Sequence, residues 1–177
     1  MHKRLRWITE TAIMLALLIA LQALTKVFGQ LVTGSCVNAI LAVSTLVGGL
    51  TCGLTVALLS PILAFLLGIA SAVITVPAIM AGNAVFVVLL ALLYKKDLYG
   101  IPALVAAAAA KFAALYAIVV WLICGVFAEN LLSSGVMKAP MLQMLPATFS
   151  WPQLFTALIG GGIALLIVPS LRKALRK

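Results

Sequence analysis

The sequence predicts an all-α integral membrane protein of about six transmembrane helices, both termini cytoplasmic, forming a single membrane domain over residues 1–177. Three observations predict it. Of 177 residues, 66% are apolar and 8% charged, against roughly 45–50% and ~25% in an average soluble domain. So short a chain has too little interior to bury that much apolar surface. The apolar runs are continuous, as in Ile13–Leu21 and Val85–Leu93, whereas strands of membrane barrels alternate with period two. Finally, the basic residues cluster at Lys3, Arg4 and Arg6, at Lys95 and Lys96, and at Arg172, Lys173, Arg176 and Lys177. Lys and Arg in short flanks mark the cytoplasmic side of a membrane protein. The same clustering argues against nucleic acid as the partner of a chain with net charge +9.

The first helix is expected from about Trp7 to Phe28. Glu10 interrupts the approach to its apolar run and no clean small-x-small site follows, so it reads as a retained span and not as a signal peptide. Gly29–Gly34 is expected as a loop, and a short second helix covers about Ser35–Val47. Gly48–Gly53 is expected as a tight turn before a third helix over about Leu54–Ala70, kinked at Pro61. A re-entrant hairpin over Ser35–Ala70 remains open, because it too leaves both tails on one side. Ser71–Val76 is a loop, and Pro77 suits the first turn of a fourth helix over about Ala78–Tyr94.

The loop Lys95–Ile101 carries the basic pair and Asp97. Pro102 then starts a fifth helix that reaches about Phe127. Ala128–Thr148 is expected as the longest polar stretch and a candidate lid. A sixth helix covers about Trp151–Val168, with Pro169 before the basic tail. Six spans put all nine clustered basic residues on one side, which agrees with the charge rule.

The missing chemistry narrows the function. His2 is the single histidine, and no His, Cys and carboxylate cluster can hold a catalytic metal. No metal, cofactor or catalytic residue is expected, and the chain does not read as an enzyme. Cys36, Cys52 and Cys124 show no C-x-x-C spacing. With Cys36 and Cys52 placed at opposite ends of one helix, all three read as small apolar fillers. The acids Glu10, Asp97 and Glu129 all fall at helix ends or loops, so no intramembrane carboxylate offers a proton relay. Gly48 and Gly53 have phosphate-loop separation, but Leu54–Thr55 follow where Lys–Ser/Thr is required. Uphill transport by this chain therefore needs energy from another subunit.

Some residues stand out against this background. Ala12, Ala16 and Ala20 lie at four-residue spacing, a small-residue face that lets another helix approach closely, in this chain or a partner. Lys111 lies about ten residues into the fifth helix, where an ammonium costs ~2.5–3.5 kcal/mol unless paired or hydrated. It either snorkels toward an interface or meets a bound anionic group. Asn38 and Asn83 can bond neighbouring helices or face a pocket. Trp151 reads as an interfacial anchor. Gly160–Gly162 reads as close packing.

Six short helices, the Ala-x-x-x-Ala face, the cytoplasmic tails and the lack of an ATPase motif resemble the substrate-binding S components of energy-coupling factor (ECF) transporters. The stretch Val32–Ala70, with T-G-S-C-V-N and L-L-S-P-I-L-A-F-L-L-G, is similar to members of that family. The resemblance implies a multi-pass subunit of the cell membrane that binds a vitamin, vitamin precursor or similar micronutrient at its outer side. It implies docking on a membrane coupling subunit held by two ATPase subunits, with Ala12, Ala16 and Ala20 as the docking face. It implies toppling in the lipid bilayer to release substrate inside. By region and chemistry, it points to Gln30, Asn38, Asn83, Lys111, Tyr116, Trp121, Glu129 and Gln153 as substrate-binding residues. The competing expectation is a self-sufficient small transporter or channel, oligomeric in form.

Overall fold

The computed structural model describes residues 2–69, 72–94 and 100–175. The expected loop residues Lys95, Lys96, Asp97 and Ser71, the expected third-helix end at Ala70, and the tail residues Arg176 and Lys177 lie outside the described residues.

Among the described residues the chain is helical throughout, with no strand. The elements are α1 (His2–Thr25), α2 (Gln30–Gly48), α3 (Leu50–Leu66), α4 (Val76–Leu93), α5 (Ile101–Leu115), α6 (Ala128–Ser133), α7 (Ala139–Phe149) and α8 (Trp151–Ala174). Short 3₁₀ turns at Lys26–Phe28 and Val73–Thr75 end α1 and lead into α4. Five segments are long and apolar enough to cross a membrane: Arg4–Phe28, Gln30–Gly48, Val73–Leu93, Ile101–Val126 and Trp151–Ala174. At 17 residues, α3 is at the short limit for a span.

The structure corrects several expected boundaries. The segment Gly29–Gly34 is no loop: Gly29, at φ +84°, joins the 3₁₀ turn that ends α1 directly to α2. Only glycine adopts such a backbone readily, and a single residue then reverses the chain. Helix α2 is therefore 19 residues long, not thirteen, and reaches ~28 Å at 1.5 Å per residue. The Gly48–Gly53 turn shrinks the same way to Gly49, at φ +89°, and α3 starts at Leu50. Cys36 and Cys52 accordingly sit on different helices, α2 and α3, and no disulfide joins them. Pro61 and Pro169 lie inside α3 and α8, which continue through them. The stretch Ala128–Thr148 holds two helices, α6 and most of α7, where its prolines at 140 and 146 suggested a loop. Pro140 takes a first-turn position, where a missing amide costs nothing.

Helix α5 runs on without a break into π-helical turns over Tyr116–Val126. Such i→i+5 turns are rare and commonly mark functional regions.

Helix α2 is the centre of the bundle. Ile40 to Val47 are buried without interruption, a pattern that belongs to a helix surrounded by others. Its broadest contact is with α8. Gly160 makes this contact possible, because a Cβ there would collide with the Ser35 carbonyl and the Ala39 amide. In lipid, where apolar surface gains little by leaving its surroundings, such close backbone approach is a main source of helix association. The outer surface carries Leu24, Leu66, Leu92 and Leu166, all exposed, as a lipid-facing surface does.

The two ends of the bundle differ. At one end Arg172 of α8 donates to the Leu46 carbonyl near the end of α2, at 2.7 Å, and lies over the Tyr94 ring just after α4. Arg4 and Arg6 near the start of α1 share this end, since α1 leads away from it and α2 returns. At the other end Lys26 donates to the Gly68 carbonyl just after α3, and Thr33 of α2 donates to the Thr25 carbonyl.

Candidate functional site

A cavity of about 280 Å³ opens at the end opposite Arg172. That is at the small end of ligand pockets, which run about 300–1,000 Å³. Its walls come from six helices and their ends. The end of α1 and the following turn give Gln22, Lys26 and Gly29. The first turns of α2 give Gln30, Thr33, Gly34, Val37 and Asn38. Around the start of α4 lie Thr75, Ile79 and Asn83. Lys111 comes from α5 and Gln153 from α8, while α7 closes one side with Met144, Leu145, Thr148 and Phe149.

The floor is a polar knot between four helices. Lys111, 2% exposed, donates from Nζ to Asn38 Oδ1 at 2.6 Å and to Asn83 Oδ1 at 2.7 Å. An ammonium only donates, so both amides must turn their oxygens toward it. Asn38 Nδ2 is thereby free to donate to the Gly34 carbonyl at 2.9 Å and to Thr156 Oγ1 at 3.2 Å. Thr156 in turn donates to the Gln153 carbonyl. Phe86 lies 5.6 Å beneath the ammonium, ring face toward it, an added attraction for a cation. Lys111 is ten residues from the start of α5, or ~15 Å into a hydrocarbon layer of ~30 Å. The side chain therefore does not snorkel. It stays at mid-depth and is held by two amides.

No acid among the described residues balances this charge. Glu10 pairs with Arg6 at 2.9 Å at the far end of the molecule, and Glu129 is exposed on α6. Lys26 brings a second cation to the cavity wall. The first turns of α2, with their outward amides, add partial positive charge. No group of three His, Cys or acidic residues that could hold a metal occurs among the described residues.

Five of the eight site residues expected from sequence come together here: Gln30, Asn38, Asn83, Lys111 and Gln153. Gln153 is buried and donates to the Thr148 carbonyl, which ties α8 to α7. The other three, Tyr116, Trp121 and Glu129, lie outside the cavity wall. Tyr116 is half-exposed and rests against Phe112, which stacks on Trp151 at 5.2 Å. Trp121 is 65% exposed on the π-helical segment. The rings of Tyr116 and Trp121 lie at the perimeter because, in this part of α5 and its π-helical extension, Lys111, Leu115, Val119 and Ile123 are the buried residues. Sequence reading missed Lys26, Thr33, Thr75 and the α7 residues as wall residues. The four-residue spacing of Gln22 and Lys26 was the signal that could have found the first of them.

A second feature lies on the outside of the bundle. Ala12, Ala16 and Ala20 form, with Leu15, Ile19, Leu63 and Leu67, an open apolar groove between α1 and α3. All three alanines are exposed.

A family model described as "ECF transporter, substrate-specific component" matches residues 6–172. No curated protein and no solved structure matches the chain.

Proposed function

This chain belongs to the family of substrate-specific components of ECF transporters, and from that membership we propose that its cavity captures a vitamin or related micronutrient at the outer face of the cell. It is a substrate-binding subunit and a multi-pass protein of the cell membrane. One observation supports the capture reading above the others. The polar cavity lies at the end opposite the described basic flanks Arg4, Arg6, Arg172 and Lys173, so the charge rule points its mouth outward.

Gln30, Asn38, Asn83, Lys111 and Gln153 are the proposed substrate contacts, with Lys26 and Thr33 beside them at the mouth. The energy for uptake comes from a membrane coupling subunit and two ATPase subunits, since the sequence has no phosphate-binding loop of its own. The groove along Ala12, Ala16 and Ala20 is the proposed seat of the coupling subunit. Its exposed small side chains allow close helix approach without first displacing bulky ones.

Native mass spectrometry of the tagged protein, gently purified from its own host, tests this reading. Two ATPases and a membrane coupling chain in the same assembly, with a small-molecule adduct, are the expected result. A lone chain or a homo-oligomer, under conditions that keep known complexes intact, favours a self-sufficient transporter or channel.

A further inference from the structure

We propose, resting on the capture reading above, that the captured solute is a small organic anion whose acidic group seats on Lys111 at the floor of the cavity. Lys111 is 2% exposed and lies at mid-depth, where a cation without compensation is costly. Its two protein partners, Asn38 and Asn83, are amides. They orient the ammonium and accept two of its three hydrogens, but they bring no negative charge. Aspartate at either position would have neutralised the site within the protein. Asparagine leaves a net positive charge and one N–H donor on a side chain that lines the cavity. Lys26 and the first turns of α2 line the same space and add to its positive potential.

An acidic group therefore gains most at the floor. There it meets the ammonium out of water, where a charge-assisted hydrogen bond is strongest. The rest of the molecule extends toward the mouth, past Thr33, Gln153 and the apolar α7 wall. A cavity of about 280 Å³ limits the solute to a compact one. Carboxylate and phosphate ester share this chemistry.

The test works with a solute of unknown structure. Yeast extract is separated by anion exchange into an acidic and a neutral pool of small molecules. Each pool is added to the full chain in lipid nanodiscs, thermal unfolding is recorded, and retained solutes are identified by mass spectrometry. The acidic pool is expected to raise the transition and the neutral pool to leave it unchanged. Phosphatase treatment of the acidic pool separates a phosphate ester, which loses its effect, from a carboxylate, which keeps it. Lys111→Gln keeps donors for both asparagines but removes the charge, and is expected to weaken the acidic solute by about tenfold or more. Asn83→Asp supplies the missing charge from the protein. It is expected to stabilise the solute-free chain and to abolish the response to the acidic pool. Stabilisation by the neutral pool alone, or an Asn83→Asp chain that still responds to acid, overturns the anion assignment and leaves the capture reading standing. No response to either pool removes the capture reading and this inference together.

Discussion

The ammonium of Lys111 on α5 donates to the side-chain oxygen of Asn38 on α2 across 2.6 Å, in a part of the bundle where neither residue is more than 2% exposed. That bond joins the central helix to the helix carrying the only cation described at membrane mid-depth. It also fixes the Asn38 amide so that its nitrogen reaches Thr156 on α8. Asn38→Leu removes all three interactions and leaves the ammonium short of an acceptor. A loss of about 1–3 kcal/mol in stability is expected, read as a lower thermal transition of the purified chain in detergent.

The contact of α2 with α8 depends on the absence of a side chain at Gly160. Gly160→Val forces the two backbones apart, and overpacking of this kind typically costs about 1–3 kcal/mol. Gly162 is the control, because a Cβ there meets nothing within 4 Å. Gly162→Ala is expected to match the parent in the same unfolding scan, and equal scans for both variants would contradict the packing described.

Ala16 lies exposed in the groove between α1 and α3, outside the cavity that Lys111 lines. Ala16→Leu is expected to leave solute binding intact and to abolish uptake by cells that contain the coupling subunits. Binding assays on the purified chain and uptake assays on cells separate the two effects. Equal uptake by variant and parent removes this groove from the mechanism.

The cavity wall sorts the polar and aromatic residues of the outer half. Gln153→Ala takes away a buried amide and its bond to the Thr148 carbonyl, and binding is expected to weaken by about threefold to tenfold. Trp121→Ala and Glu129→Gln alter exposed side chains outside the cavity, and solute affinity by calorimetry is expected to stay that of the parent.

At the opposite end, Arg172 satisfies the Leu46 carbonyl near the C-terminus of α2 and covers the Tyr94 ring. Helix ends leave carbonyls without partners, and a cation near them also meets the favourable end of the helix dipole. Arg172→Ala is expected to lower stability by about 1–3 kcal/mol with solute affinity unchanged, since the cavity is at the other end.

The fold class was legible in the sequence because composition and continuous apolar runs follow directly from the choice of lipid as solvent. Lys111 stood out for the same reason: one charge in the run Ala106–Ala114 demands a partner. Its actual partners were harder to assign. Asn38 and Asn83 are far from it in sequence, and only the packing of α2 and α4 against α5 brings them together. The wall of α2 was hidden by a boundary error. Reading Gly29–Gly34 as a loop broke the helical period that puts Gln30, Thr33, Gly34, Val37 and Asn38 on one face. A glycine at φ +84° turns the chain in one residue, and nothing in local composition separates that from a longer loop. The prolines of the 128–148 stretch misled in the opposite direction. They fit within or at the start of α7, which then supplies a wall of the cavity.

Under the proposed function this chain captures a solute and does not move it uphill alone. Purified protein reconstituted into liposomes, with and without a coupling subunit and ATPases, puts this to the test. Labelled solute, identified from the retained acidic pool, should accumulate only when all subunits and ATP are present, while the isolated chain binds it without transport. Accumulation or steady flux through liposomes that hold this chain alone would contradict the account and establish a self-sufficient transporter or channel.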